Sequence, residues 1–155
     1  MRITLPNSRT FSKIFQKATG KSISEKINGI ATDSREVQEG DLYIAIKGEK
    51  VDGSDFLGQV FENGASYAMV SKKQTYTKGE QIEVGDTVKT IGKIATEWRL
   101  QFSIPVIGIT GTNGKTSTKE LLKHILSSKF DVHATEGNYC LLYTSDAADE
   151  ERGGD

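Results

Sequence analysis

A glycine-rich turn between an apolar run and a helical pattern constrains this fold more than any other stretch. The β-branched run 104–110 leads into the turn 111–114, and apolar residues recur at helical spacing after Lys115. A strand, a glycine loop and a helix in that order form a phosphate cradle. Glycines let the backbone N–H groups turn inward, and the helix presents its positive end to the anion. The pattern therefore predicts a phosphate-binding loop within an α/β fold.

The loop supplies the candidate nucleotide-binding residues and the candidate catalytic group. Lys115 would reach the outer phosphates, and the hydroxyl of Thr116 would help to hold Mg²⁺. The common motif has four residues between its first glycine and the Gly-Lys pair. Here Gly108 to Gly114 encloses five, so the loop is a variant. The predicted nucleotide-binding residues are Gly111, Thr112, Asn113, Gly114, Lys115, Thr116 and Ser117.

A tight hairpin is the alternative, because Asn113-Gly114 favours chain reversal. A hairpin needs alternating residues on its second arm. The segment 115–127 instead carries apolar residues at helical spacing, namely Leu121, Leu122, Ile125 and Leu126. This periodicity favours the phosphate loop.

Composition narrows the class of protein. The 155 residues are 35% hydrophobic and 26% charged, which is typical of a soluble globular protein. The formal net charge of -1 gives no support for a nucleic-acid or membrane-surface partner. No apolar run approaches the roughly 20 residues of a membrane helix, and residues 1–7 lack the apolar core of a secretory signal. The single Cys140 fits a reducing compartment, so we expect a cytoplasmic protein.

The residues before the glycine loop predict a small α/β domain. Helices are expected from Asn7 or Ser8 to Gly20, from a turn at 52–55 to Gly64, and after Asp86 or Thr87. Extended segments are expected at 27–31, 41–46 and 67–70, and the polar stretch 71–83 predicts a surface loop or a short hairpin.

We place a domain boundary near 101–103, which gives an N-terminal domain over 1–103. A second domain then begins at 104–139 with a strand at 104–110, the loop, a helix at 115–128 and a strand at 130–134. These form a β-α-β unit with a right-handed crossover. His124 and His133 have no partner at metal-ligand spacing.

Four stretches resemble the Mur ligase family of ATP-dependent peptidoglycan enzymes. The resemblance runs from about Ile3 to about Tyr139, and the glycine loop is shared with folate polyglutamylating ligases. Thr-Lys-Glu at 118–120 and Thr-Glu-Gly-Asn at 135–138 favour the branch that adds D-alanyl-D-alanine to a UDP-N-acetylmuramoyl-tripeptide. The four stretches are 32–35 followed by 40–48, 52–56, 104–116, and 118–122 leading to 135–138.

The resemblance implies an ADP-forming ligase with three domains. These are an N-terminal domain that binds the UDP end of the substrate, a central P-loop ATPase domain that binds ATP with Mg²⁺ and begins with the β-α-β unit at 104–139, and a C-terminal domain. ATP would phosphorylate the tripeptide carboxylate, and D-alanyl-D-alanine would attack the acyl phosphate. It places Ser34 and Arg35 at the UDP site and Asn138 near substrate or phosphate. Asp33 is expected to cap or turn its loop rather than contact ligand.

The sequence departs from the family pattern at two places. Ser54 follows Asp52-Gly53 where the family commonly has histidine. The acidic segment 140–155 does not continue the family pattern, and we interpret it as a non-native tail on a truncated chain. The family's metal-binding carboxylate, modified lysine and C-terminal domain would lie beyond it. We therefore expect that this chain alone does not catalyse the ligation.

Three alternatives stay open. The chain could come from another ADP-forming ligase, such as the diamino-acid-adding branch or the folate enzyme. It could be a non-catalytic module that binds ATP or UDP-sugars. A P-loop kinase or simple ATPase is disfavoured because the sequence carries no second motif that would activate an acceptor.

Overall fold

The computed structural model describes residues 1–24, 26–48 and 51–135. The chain divides into two compact units, Met1–Ser103 and a second unit that begins at Ile104.

A five-stranded sheet forms the centre of the first unit. Its order follows the chain, and β1 is antiparallel to β2 while all later neighbours are parallel. The register pairs Ile30 with Leu42, Tyr43 with Ala68, and Met69 with Ile82. The strands are β1 (Arg2–Thr4), β2 (Gly29–Ala31), β3 (Leu42–Ile44), β4 (Tyr67–Val70) and β5 (Gln81–Glu83).

Three α-helices complete this unit, namely α1 (Ser8–Thr19), α2 (Leu57–Glu62) and α3 (Thr87–Arg99). Asn7 caps α1 by accepting the N–H of Thr10, and Gly20 ends the helix at φ 69°. Asp86 caps α3 in the same way. Two 3₁₀ turns, Ser34–Glu36 and Gly53–Phe56, follow capping aspartates.

The pleat of the sheet separates two apolar cores. Leu42, Ile44 and Met69 pack with residues of α1 and α3 on one face. The alternate side chains, such as Tyr43 and Ala68, pack with residues of α2 on the other face. Successive side chains of a strand point to opposite faces, so β2, β3 and β4 each contribute to both cores.

The predicted α/β class is confirmed, but the hairpin alternative at 71–83 is wrong. Residues 81–83 form β5, which pairs in parallel with β4, and the segment 71–80 forms no strand that could be a hairpin partner for β5. Burial explains the pairing, because Ile82 lies only 7% exposed in the core beside Met69. The segment 71–80 connects the two strands.

The second unit contains α4 (Lys115–Ser127), as the helical spacing predicts. The predicted strands at 104–110 and 130–134 are not formed in the structure. A strand requires a neighbour for its backbone hydrogen bonds, and the described residues supply neither segment with one. The side chains of Val106 and Ile107 are 66% and 60% exposed, so burial does not stabilise a strand there either.

The helices of the described ranges are too short or too polar to cross a membrane.

Candidate functional site

The glycine loop of the second unit adopts the backbone that only glycine tolerates well. Gly111 has φ 147° and Gly114 has φ 79°. Gly114 directly precedes α4, where the N–H of Thr118 donates to its carbonyl at 2.9 Å. The first N–H groups of a helix have no acceptor within the helix, and Gly114 has no side chain to cap them. The start of α4 therefore offers donors and positive potential to an anion.

Lys115 lies over this loop. Its ammonium donates a hydrogen bond to the carbonyl oxygen of Gly111, four residues back. Thr112 and Asn113 occupy the turn beneath it, and all these residues are exposed. The loop thus combines a flexible cation with the open end of a helix.

The donor set of the loop fits a polyphosphate and Mg²⁺. A lysine and helix N–H groups are anion donors, and the hydroxyl of Thr116 on the first turn of α4 is the kind of hard oxygen that Mg²⁺ prefers. Ser117 is its neighbour on the same turn. Among the residues with described positions, no group of three or more His, Cys, Asp and Glu side chains is placed to hold a metal.

A second lysine on α4 holds the segment that follows the helix. The ammonium of Lys119 donates to the carbonyl of Thr135 at 2.6 Å and lies 3.1 Å from a carboxylate oxygen of Glu120. Lys119 lies one turn after Lys115, so both are on one side of the helix. The candidate substrate residue Asn138 lies outside the described residues.

A cleft of about 590 Å³ lies in the first unit at the carboxyl ends of β2 and β3. The segment 32–35 after β2 forms one side, and residues after β3 form the other. The 3₁₀ turn Gly53–Phe56 and the start of α2 supply the remaining wall. Open parallel sheets bind ligands at this end of their strands.

Asp33 and Arg35 form an ion pair at the rim of the cleft. Arg35 Nε donates to Asp33 Oδ1 at 2.9 Å, and Nη2 donates to Oδ2 at 2.6 Å. Asp33 also accepts the backbone N–H of Arg35, which confirms its predicted capping role. These hydrogen bonds hold the pKa of the Asp33 carboxyl well below its usual range and raise the pKa of Arg35. The Arg35 side chain is 81% exposed, so its outer face is open to a ligand.

Ser34 lies between these two residues but is buried. Its carbonyl accepts a hydrogen bond from the Asn63 side chain at 3.3 Å. The cleft therefore has Ser34 on its inner side and Arg35 on its outer side. Both residues that the sequence predicts for a UDP site thus line this cleft.

Sequence reasoning missed Tyr43 at the floor of the cleft. Its hydroxyl donates to the carbonyl of Gly53 at 3.1 Å. Burial raises the pKa of Tyr43 to about 12, and the nearby carboxylates of Asp33 and Asp52 act in the same direction. Because side chains alternate along β3, Tyr43 points to one face of the sheet while Leu42 and Ile44 point to the other. That alternation in the sequence could have placed Tyr43 on the face of the cleft. No neighbouring residue, however, indicated that its hydroxyl would donate to the Gly53 carbonyl.

Comparison with known proteins identifies both units. Residues 26–99 match the family model for the catalytic domain of the Mur ligase family, and residues 109–153 match the Mur ligase middle domain. The chain belongs to the Mur ligase family. The resemblance inferred from the sequence is thereby confirmed. The middle-domain match reaches residue 153 and so extends into the segment 140–155 that was predicted to be non-native.

Relatives of this Mur ligase chain come from two branches. It is 40% identical over 142 residues to a UDP-N-acetylmuramoyl-tripeptide–D-alanyl-D-alanine ligase of Synechocystis, covering 89% of this chain and 31% of that protein. It is 43% identical over 106 residues to a UDP-N-acetylmuramoyl-L-alanyl-D-glutamate–2,6-diaminopimelate ligase of Aquifex aeolicus, covering 67% and 22%. The chain therefore spans less than a third of the length of these relatives.

Two solved structures share the fold. The first is UDP-N-acetylmuramoylalanyl-D-glutamyl-2,6-diaminopimelate–D-alanyl-D-alanyl ligase from Acinetobacter baumannii. It matches this Mur ligase chain with a TM-score of 0.74 at 35% identity, over 82% of this chain and 30% of that one. The second is a MurF ligase from Thermotoga maritima in complex with ADP. It matches with a TM-score of 0.66 at 38% identity, over 70% and 25%.

Proposed function

We propose that this chain is the N-terminal part of an ADP-forming ligase that adds D-alanyl-D-alanine to a UDP-N-acetylmuramoyl-tripeptide. The observation that carries the proposal is the glycine loop, where Gly111 and Gly114 take glycine-specific conformations and Lys115 lies over the start of α4. Two similar proteins support it, namely a ligase solved in complex with ADP and a relative of the D-alanyl-D-alanine-adding branch that aligns over 89% of this chain. Residues 1–103 would form the UDP-substrate domain, and residues from 104 would begin the ATP-binding domain.

The glycine loop would hold the phosphates of ATP. Its backbone donors and the positive end of α4 would contact the phosphate chain, and Lys115 would exchange its hydrogen bond with Gly111 for one with an outer phosphate. Mg²⁺ would be held through the Thr116 hydroxyl. When bound, ATP with Mg²⁺ supplies the phosphoryl group that activates the substrate carboxylate.

Lys115 would contribute to the reaction by position and charge. Phosphoryl transfer requires alignment and neutralisation of developing negative charge more than covalent help from the protein. A lysine ammonium on a flexible stem can follow a phosphate oxygen as its charge changes. The carboxylate activated in this way would form an acyl phosphate, which the amine of D-alanyl-D-alanine attacks with loss of phosphate.

The cleft in the first unit would hold the uridine diphosphate end of the substrate. Arg35 presents its guanidinium at the rim, where a planar fork can bind two phosphate oxygens. Val51 and Phe56, which are 53% and 38% exposed, supply apolar surface among the lining residues for the base. Asp33 would hold Arg35 in one orientation before the ligand arrives.

The diaminopimelate-adding branch is the second candidate, because relatives of that branch reach 43% and 44% identity over shorter alignments. Binding of the UDP-tripeptide in preference to the UDP-dipeptide would favour the D-alanyl-D-alanine branch. A non-catalytic module would bind nucleotide and give no amide product even in a longer chain. The substrates are small molecules, and the cytoplasm, where ATP and UDP-linked precursors meet, is the proposed location.

Replacement of Lys115 tests the proposal directly. We expect Lys115→Ala to weaken ADP–Mg²⁺ binding by about ten-fold or more, because a charge-assisted hydrogen bond is lost. Titration calorimetry on the whole chain would measure this. Lys123→Ala, which removes an exposed lysine two turns further along α4, is the matched control and should leave affinity unchanged. Equal affinity of Lys115→Ala and the parent chain would overturn the assignment.

A separate assay tests whether this chain alone catalyses the ligation. We expect no phosphate release when this chain is mixed with ATP, UDP-tripeptide and D-alanyl-D-alanine. Normal turnover would refute that expectation.

A further inference from the structure

The segment 71–80, which joins β4 to β5, reaches across to the wall of the cleft. The hydroxyl of Tyr76 donates to the carbonyl of Ser54 at 2.9 Å. The Tyr76 side chain is otherwise 62% exposed, so this hydrogen bond is its main attachment to the wall. Ser54 lies within the 3₁₀ turn Gly53–Phe56, which lines the cleft.

Two tyrosines hold consecutive carbonyl groups of this turn. Tyr43 donates to the carbonyl of Gly53 from the buried side, and Tyr76 donates to the carbonyl of Ser54 from the outer side. The side chain of Asp52 accepts the N–H of Ser54 at 2.9 Å. Tyr43 lines the cleft, whereas Tyr76 holds the turn from outside the lining residues.

The segment that carries Tyr76 is itself anchored near both ends. The Gln81 side chain donates to the carbonyl of Gln74 at 2.8 Å and accepts the N–H of Gln74 at 2.8 Å. Gly79 packs so closely on the ring of Phe61 that an added Cβ would overlap the ring. Phe61 belongs to α2, whose start lines the cleft. The segment thus forms a strap between β5, α2 and the turn.

We propose that Tyr76 is a positioning residue for the cleft, and that the strap 71–80 sets the orientation of the Gly53–Phe56 turn toward the ligand. This inference rests on the proposed binding of a uridine diphosphate there. The turn presents Phe56 and the backbone of Gly53 to the cleft, so a rotation of the turn changes the ligand-facing surface. Tyr76 itself lies outside the residues that line the cleft.

The test compares two tyrosine variants in the whole chain, with UDP as the probe. Tyr76→Phe removes only the hydroxyl, and we expect it to weaken UDP binding by about three- to ten-fold, the range that one neutral hydrogen bond supplies. Tyr67→Phe is the matched control, because its hydroxyl accepts the N–H of Ser24 away from the cleft. We expect this control to leave UDP affinity unchanged.

A second readout separates positioning from general stability. In Tyr76→Phe the carbonyl ¹³C resonance of Ser54 should shift, while the thermal midpoint should change no more than in Tyr67→Phe. Gly79→Ala, which would push the strap away from Phe61 without altering the Tyr76 side chain chemically, should also weaken UDP binding.

The outcomes distinguish the two proposals. Failure of the parent chain to bind UDP would overturn the proposed function and the positioning role together. Binding by the parent with equal affinity in Tyr76→Phe, or equal weakening in Tyr67→Phe, would overturn the positioning role alone.

Discussion

Arg2 and Asp41 form a two-point ion pair that crosses β2. Arg2 Nε donates to Asp41 Oδ2 at 2.7 Å, and Nη2 donates to Oδ1 at 2.9 Å. Arg2 lies on β1, and Asp41, which is fully buried, directly precedes β3. Gly29 of β2 lies beneath the pair, and a Cβ there would approach Asp41 Oδ1 to 2.8 Å. The pair therefore attaches the antiparallel edge strand to the parallel part of the sheet and requires glycine between them.

Asp41→Asn should destabilise the first unit. The amide keeps the shape of the carboxylate but places its N–H₂ group against an Arg2 donor in either orientation. In one orientation it also faces the backbone N–H of Gln38, which Asp41 accepts at 2.9 Å. Loss of one charge-assisted hydrogen bond at a buried site costs about 2–3 kcal/mol. Urea unfolding followed by far-UV circular dichroism would measure the change. The exposed Glu80→Gln is the control, and equal midpoints for both variants would contradict the role of the pair.

Gly53→Ala should also destabilise this unit, for a steric reason. A Cβ at Gly53 would lie 2.8 Å from the backbone nitrogen of Ile46 and 3.0 Å from the Cα of Ala45. These are backbone atoms beside the central strand, so they cannot move away easily. Overpacking of this kind costs about 1–3 kcal/mol.

Gly58→Ala is the matched comparison for Gly53→Ala. Gly58 lies in α2 with open space around its Cα, so alanine should stabilise the helix by up to about 1 kcal/mol. The two alanine variants should therefore shift the unfolding midpoint in opposite directions. Shifts of the same sign would show that the close approach of Gly53 to the backbone of Ala45 and Ile46 does not exclude a side chain at position 53.

The pKa of Asp33 should depend on Arg35. In the folded chain the hydrogen bonds from Arg35 lower it below the unfolded value of about 3.9. The contribution of the pair to stability is therefore present above that value and is lost as the pH falls through the folded pKa. Titration of the carboxyl ¹³C resonance would show an Asp33 midpoint below the ordinary range.

Arg35→Gln should raise that midpoint toward the ordinary value of about 3.9, without reaching it, because the backbone N–H of residue 35 still donates to Asp33. Lys72→Gln, which removes an exposed cation elsewhere, should leave it unchanged. An Asp33 midpoint in the ordinary range in the parent chain would refute the ion pair in solution.

The elements that the sequence predicted well are those with local signals. The Asn7 cap and Gly20 stop define α1 within a few residues of chain, and Asp86 does the same for the start of α3. The helix after Lys115 follows from its apolar spacing in the same way. Such signals depend on neighbouring backbone groups, so a single sequence contains them.

The features that were missed depend on residues far apart in the chain. β5 is a strand because Ile82 pairs with Met69 of β4. The polar residues around Ile82 predicted a loop, and nothing near it in the sequence indicates this pairing. The run 104–110 has strand composition without a partner in the described residues, so composition alone was misleading there. Tyr43 and Tyr76 likewise contact carbonyls 10 and 22 residues away, which no local pattern identifies.

The order of strands in the sheet repeats their order in the chain, from β1 at one edge to β5 at the other. Each of β2 to β5 thus pairs with the strand that precedes it in the chain, so the partners are close in sequence. Such near-neighbour pairing lowers the loop-closure cost of assembly. A nascent chain leaving the ribosome can therefore build this sheet from its N-terminal edge, one strand at a time, before the glycine loop has been translated.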